Sequence, residues 1–138
     1  MSKKFLVFKS LIESGEREIL NYGHTLGHAI EKDANYDLRH GEAISIGMVF
    51  VAALSVELEG LSGEVLDRHK AILKKLGLPL TYKKDAWDRL YSLMLSDKKR
   101  KSGEIRFVTL IKEGKCGRKS SPEGILRNVY FKEIGLNL

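Results

Sequence analysis

The chain is expected to fold as a mainly α, multi-helical domain with a minor β element, and three observations carry that expectation. Apolar residues recur at helical spacing in four separate stretches, each bounded by capping or breaking residues. One run, AISIGMVFVAALSVEL from Ala43, is apolar nearly all the way round, which marks a central buried helix. Only one segment, near Glu104 to Ile111, is β-branched and partly alternating enough to read as a strand.

In chain order, residues 17 to 33 read as a helix with apolar Ile19, Leu20, Leu26, Ala29 and Ile30. Asn35, Tyr36 and Asp37 break the pattern, and Gly41-Glu42 opens the apolar helix, which ends at Gly60. Ser62 is an N-cap with Glu64 in the first turn of a third helix, which runs to Lys74-Lys75 and stops at Gly77 with Pro79 beyond. Asp85 caps a fourth, on which Trp87, Leu90, Tyr91 and Met94 form a core stripe. The strand follows Gly103 and is closed by Gly114 and Gly117. Ser121-Pro122 then starts a last helix carrying Ile125, Leu126, Val129, Tyr130 and Ile134.

With 138 residues, a single domain over 1–138 is the expectation. No run approaches the ~20 apolar residues of a membrane helix, so no membrane partner is expected. The lysine-rich start lacks a small-residue cleavage site, and the single cysteine, Cys116, reads as a loop or strand thiol in a reducing, cytoplasmic setting. The net charge of +6 gathers at Lys3/Lys4, at Lys74/Lys75 with Lys83/Lys84, and at Lys98 to Lys101. None of these is interleaved with stacking aromatics, which argues against nucleic acid.

The most informative stretch is Arg17 to Glu42, which holds three of the four histidines. Arg17, Asn21, His24 and His28 follow at spacings of four, three and four, a rhythm that places them along one helical stripe. Buried without partners, each would cost roughly 1–3 kcal/mol, so the stripe reads as a site. His24 and His28 at i and i+4 have the spacing to share a cation such as Zn²⁺. Gly23 and Gly27, each costing about 1 kcal/mol in a helix interior, point to close approach of another backbone or a ligand. His40 and Glu42 complete the candidate donors, with Glu31 placed too far round the helix and His69 read as solvated on a lysine-flanked helix.

The runs LNYGHTLGHAIE (from Leu20) and HGEAISIGM (from His40), then Gly77-Leu78-Pro79, Asp97-Lys98-Lys99 and the strand from Gly103, resemble the 3-dehydroquinate synthase family in sequence and order. The resemblance implies the family's helical C-terminal domain, with an N-terminal nucleotide-binding domain absent from this sequence. It implies His24 and His40 as metal ligands to Zn²⁺ or Co²⁺, with a third ligand, a glutamate, upstream. His28 is then left to hydrogen-bond substrate phosphate or a proton-relay water, as a catalytic group. Arg17, Asn21 and Lys98 or Lys99 match substrate-binding positions. The substrate implied is a phosphorylated sugar acid, 3-deoxy-D-arabino-heptulosonate 7-phosphate, converted to 3-dehydroquinate and phosphate in the shikimate pathway. NAD would be held mainly by the absent N-terminal domain, and the full enzyme would be a homodimer. The chain alone would be inactive. Two departures stand out: SLIESGE is less acidic than the family's run, which leaves Lys3 unassigned, and IKEGKCGRKSSPEG lacks the usual Ile-Gly step. Two other readings are a non-catalytic binding or assembly module and a sister sugar-phosphate cyclase.

Overall fold

The computed structural model describes residues 21–100 and 104–136, and of residues 99 and 100 the backbone alone. Among the described residues five α-helices run in order: α1 (His24–Asp33), α2 (His40–Glu59), α3 (Gly63–Lys75), α4 (Trp87–Arg100) and α5 (Glu123–Val129). Strand β1 (Tyr82–Lys83) and a 3-10 turn (Lys84–Ala86) precede α4, and β2 (Phe107–Lys112) and β3 (Lys115–Lys119) follow it. A π-helical turn (Tyr130–Ile134) and β4 (Gly135–Leu136) come last. Strands β2 and β3 form an antiparallel hairpin, while β1 and β4 pair in parallel across the length of the domain. The mainly α expectation with a minor β element therefore holds.

Helix α2 is the axis around which the rest packs. Val49, Phe50, Ala52 and Leu54 are each 0% exposed, and no face of the helix is left polar through its middle. It is 20 residues long, and an 18-residue window of it has a mean hydropathy of 1.7, long and apolar enough to cross a membrane. That corrects the expectation that no run comes close. About two thirds of its apolar window is buried inside this domain, so its neighbours here account for the hydropathy.

Its ends follow the signals in the sequence. Glu42 accepts from the Arg39 backbone N–H at 2.9 Å at the start, and Gly60 takes the left-handed conformation (φ +71°) at the end. In α3, Ser62 Oγ accepts from the Glu64 N–H at 3.3 Å as expected of an N-cap. The helix expected over 17–33 is different. Tyr22 and Gly23 form a turn, Gly23 has φ +80°, and α1 begins only at His24; the part before residue 21 lies outside the described residues. The strand expected from Glu104 begins at Phe107, and Gly114 (φ +81°) turns it into β3 rather than ending it. The last helix starts one residue later than expected, with Pro122 at the N-cap position.

The glycines explain how α1 and α2 meet. A methyl group on Gly47 would lie 2.0 Å from the Gly23 carbonyl oxygen, and one on Gly27 would lie 2.7 Å from Ile44 Cδ1. One on Gly23 would meet Met48 Cγ at 2.8 Å. The two backbones touch where Cβ atoms would otherwise hold them apart, which fulfils the close approach read from Gly23 and Gly27.

Buried polar groups are paired. Ser55 Oγ donates to the Val51 carbonyl at 2.7 Å and accepts from the Leu110 N–H at 2.9 Å, tying α2 to β2. Thr109 Oγ1 donates to Glu59 at 2.6 Å, and Ser45 Oγ donates to the Pro79 carbonyl at 2.7 Å. Among the described residues no buried side-chain nitrogen or oxygen lacks a partner. His69 is one of these groups. The sequence reading left it solvated, yet it is 0% exposed. The lysine-flanked stretch misled because His69 sits on the inner stripe of α3 with Val65, Leu66 and Leu73. Its Nδ1 donates to the Val65 carbonyl at 2.8 Å, so its Nε2 accepts from the Tyr22 hydroxyl at 2.9 Å.

Two outcomes follow from this packing. Gly47→Ala is expected to destabilise the fold by at least ~2 kcal/mol through overpacking, measured by urea denaturation. Gly41→Ala, which meets nothing within 4 Å, should stay within about 1 kcal/mol of wild type. For pH, burial lowers the His69 pKa below its usual value, keeping the folded imidazole neutral. From about pH 6.5 down to that lowered value, the unfolded chain binds a proton the folded chain refuses, so stability falls as pH falls. The melting temperature should drop on acidification through this range. His69→Gln should be less stable at neutral pH and show a shallower acid slope, the remainder coming from His24, whose pKa is also lowered.

Candidate functional site

Because α1 and α2 cross at their glycines, the first two turns of α1 and the N-terminus of α2 face one another. The imidazole rings of His24 and His28 stand 5.0 Å apart centre to centre, those of His24 and His40 5.5 Å, and those of His28 and His40 6.1 Å. They line a cleft of about 660 Å³ whose far wall comes from α4 and the β2–β3 hairpin. Asn21, His24, His28, His40 and Lys98 all line it. Arg17 lies outside the described residues, as do Lys3 and the Lys99 side chain.

The cleft wall is held to α1 by specific bonds. Thr25 Oγ1 donates to the Arg106 carbonyl at 2.8 Å, fixing the segment leading into β2. At the other end of α1, Asp33 accepts from Tyr82 Oη at 2.7 Å and from Arg89 Nε at 2.6 Å, and its side chain is 4% exposed. Burial pushes the Asp33 carboxyl up, but the hydrogen bonds from Arg89 and Tyr82, with the Arg89 charge, outweigh it and leave its pKa below the usual value. That clasp sets α4 against α1, and with it the position of Lys98.

The three imidazoles differ in their partners. His24 Nδ1 lies 3.2 Å from the Tyr22 carbonyl oxygen. A carbonyl only accepts, so in the neutral ring the proton sits on Nδ1 and Nε2 keeps its lone pair. His40 Nδ1 lies 2.9 Å from Glu31 Oε1, again an acceptor when ionised. His28 makes ring contacts with both, and no hydrogen bond to it is found among the described residues. Burial lowers the His24 pKa, and the neighbouring His28 and His40 lower it further, against the bond to Tyr22 and the Glu31 charge. A ring held neutral is the form that binds a cation. Imidazoles of this kind could hold a borderline divalent metal: the donors that come within 4.8 Å of one another are those of His28, Glu31 and His40, with the His24 ring beside them.

Some of the site was not foreseen. Glu31 is placed against His40, where the sequence reading set it too far round the helix. Seven residues after His24 is two helical turns, which returns to the same face. Ligand atoms of His28, Glu31 and His40 all lie within 4.8 Å of one another. Glu42 is engaged instead in capping α2. Arg106 and Arg118 also line the cleft; one comes from the segment leading into β2 and the other from β3, and the folding of this hairpin back onto α1 has no signature in local spacing.

Comparison with known proteins follows the same residues. The family described as 3-dehydroquinate synthase C-terminal matches residues 2–100. The 3-dehydroquinate synthase of Corynebacterium pseudotuberculosis (strain C231) is 51% identical over 116 residues, covering 84% of this chain and 32% of that protein. That of Paenarthrobacter aurescens (strain TC1) is 48% identical over 132 residues, covering 96% of this chain and 36% of that protein. The chain thus spans about a third of the length of the curated relatives it matches. Among solved structures, 2-deoxy-scyllo-inosose synthase complexed with carbaglucose-6-phosphate, NAD⁺ and Co²⁺ superposes with a TM-score of 0.71 at 23% identity, covering 88% of this chain and 35% of that one. The 2-epi-5-epi-valiolone synthase of Streptomyces hygroscopicus subsp. jinggangensis 5008, with NAD⁺ and Zn²⁺ bound, gives 0.74 at 19% identity, covering 83% and 32%. At these identities the two structures establish the fold.

Proposed function

The chain belongs to the 3-dehydroquinate synthase C-terminal family, and from that premise we propose that it is the metal-binding, substrate-clamping part of a 3-dehydroquinate synthase. The reaction proposed converts 3-deoxy-D-arabino-heptulosonate 7-phosphate to 3-dehydroquinate and phosphate, with NAD held by a joined nucleotide-binding domain. The observation that carries the reading is the convergence of three imidazoles, two with their Nδ1 nitrogens anchored. Identities near 50% with dehydroquinate synthases favour this reaction over that of a sister cyclase, since the likeness to the two cyclases rests on fold alone.

In this reading His24 and His40 present Nε2 to a divalent cation, Zn²⁺ or Co²⁺, whose third protein ligand comes from the joined domain. When bound, such a cation supplies Lewis-acid polarisation of a substrate oxygen and a template for orienting it. His28, whose ring faces both other histidines, hydrogen-bonds the substrate phosphate or a water that carries its proton away. Asn21 offers an amide that both donates and accepts, and Lys98 offers a point charge to an anionic oxygen. Arg17 and Lys99 are proposed for the same anionic groups. Thr25 holds the segment leading into β2 against α1 as one wall of the cleft.

The test uses the chain joined to its nucleotide-binding domain, with metal content read by atomic absorption and turnover by phosphate release. His24→Ala and His40→Ala are expected to lose metal and turnover together. His28→Ala should keep its metal and lose turnover by ~10²-fold or more. Zinc released by His28→Ala and retained by His40→Ala would assign the cation to the His24/His28 pair and overturn this arrangement.

A further inference from the structure

Glu31 lines the cleft, and the proposed chemistry leaves it unused. Its side chain is 14% exposed, its Oε1 lies 2.9 Å from His40 Nδ1, and it stands on α1 while His40 opens α2. His40 itself is 59% exposed. A ring that open at a helix terminus has little packing to fix either its rotamer or its tautomer.

We propose that Glu31 is the positioning residue of His40, its carboxylate accepting a hydrogen bond from Nδ1–H so that Nε2 is the nitrogen turned to the cation. The proposal rests on the metal reading above. A carboxylate behind an imidazole fixes ring orientation and tautomer and raises the basicity of the far nitrogen. The competing role for Glu31 is direct ligation, since its carboxylate groups with His28 and His40 within 4.8 Å. The 2.9 Å between Oε1 and Nδ1 is a charge-assisted hydrogen bond, which favours the positioning role, and the experiment below separates the two. The bond also spans the two helices near the mouth of the cleft, where the glycine contact does not reach. Glu31 thereby connects the helix bearing His24 and His28 to the ring of His40.

The experiment has two readouts on the chain joined to its nucleotide-binding domain. The His40 tautomer is read without metal by long-range ¹H–¹⁵N NMR at pH 8, and Zn²⁺ affinity by competition with a chromophoric chelator. Wild type should show the proton on Nδ1. In Glu31→Ala that tautomer should be lost and Zn²⁺ affinity should fall about 10- to 100-fold. Glu31→Gln, whose amide oxygen still accepts, should keep the tautomer and lose less affinity. An Nε2–H tautomer in wild type, or a tautomer and affinity unmoved by Glu31→Ala, would overturn the proposal. So would a loss in Glu31→Gln as deep as in His40→Ala, since that identifies Glu31 as a ligand. If His24→Ala and His40→Ala bind Zn²⁺ as tightly as wild type, the metal reading fails. A Glu31-dependent tautomer in that case would keep the hydrogen bond and remove its purpose.

Discussion

The contact between the Gly23 carbonyl and Gly47 is the constraint on which the arrangement of the cleft depends. With an added Cβ the distance would be 2.0 Å, so α2 lies as close to α1 as two backbones allow. Gly23 makes that contact in a left-handed conformation that glycine adopts without penalty. The turn it forms releases α1 from the preceding residues and starts a new helix at His24. Both consequences matter for the site. The crossing brings His40, sixteen residues later in sequence, to the same opening as His24 and His28. The turn also frees the Tyr22 carbonyl to accept from the His24 ring rather than from a helical N–H.

Behind the cleft, a chain of hydrogen bonds carries the position of His24 into the core. The Val65 carbonyl fixes the His69 tautomer, His69 holds the Tyr22 hydroxyl, and the Tyr22 backbone holds His24. Tyr22 is 1% exposed and burial drives its hydroxyl pKa up, so this hydroxyl stays a donor. Each member of such a network is costly to leave unpaired, by roughly 1–3 kcal/mol. The His24 ring is thereby set by the same groups that satisfy the interior. His40 has no comparable support from the core. Its anchor is the single carboxylate of Glu31.

How much of this could be read from the sequence depended on whether the signal was local. Helix ends were legible at Ser62, Gly60 and Gly77 because caps and left-handed terminators act within a few residues. The penalty of two glycines between apolar neighbours pointed to close approach at Gly23 and Gly27 without saying what approaches. The answer, Gly47 of α2, needed the fold. His69 failed for the opposite reason: charged residues beside it in sequence lie on the outer face of α3, while its own side chain turns in. Strand β3 escaped because Lys115-Cys116-Gly117-Arg118-Lys119 has no alternating apolar face, and its pairing comes from the turn at Gly114.

The proposed division of labour among the histidines is a case where sequence spacing and structure speak to different things. Spacing makes His24 and His28 equivalent, since i and i+4 on one helix share a face. Their surroundings make them unlike. His24 sits partly buried over a carbonyl that fixes its proton, whereas His28 is exposed and contacts the other rings without such an anchor. A ligand must hold one nitrogen still against a cation, so anchoring matters for it. A group that meets a substrate gains from being free to turn and exchange a proton with what arrives. The anchored ring and the open ring are adjacent because one helical turn separates them, and they differ because the turn at Gly23 starts α1 at His24 and leaves the Tyr22 carbonyl to the His24 ring.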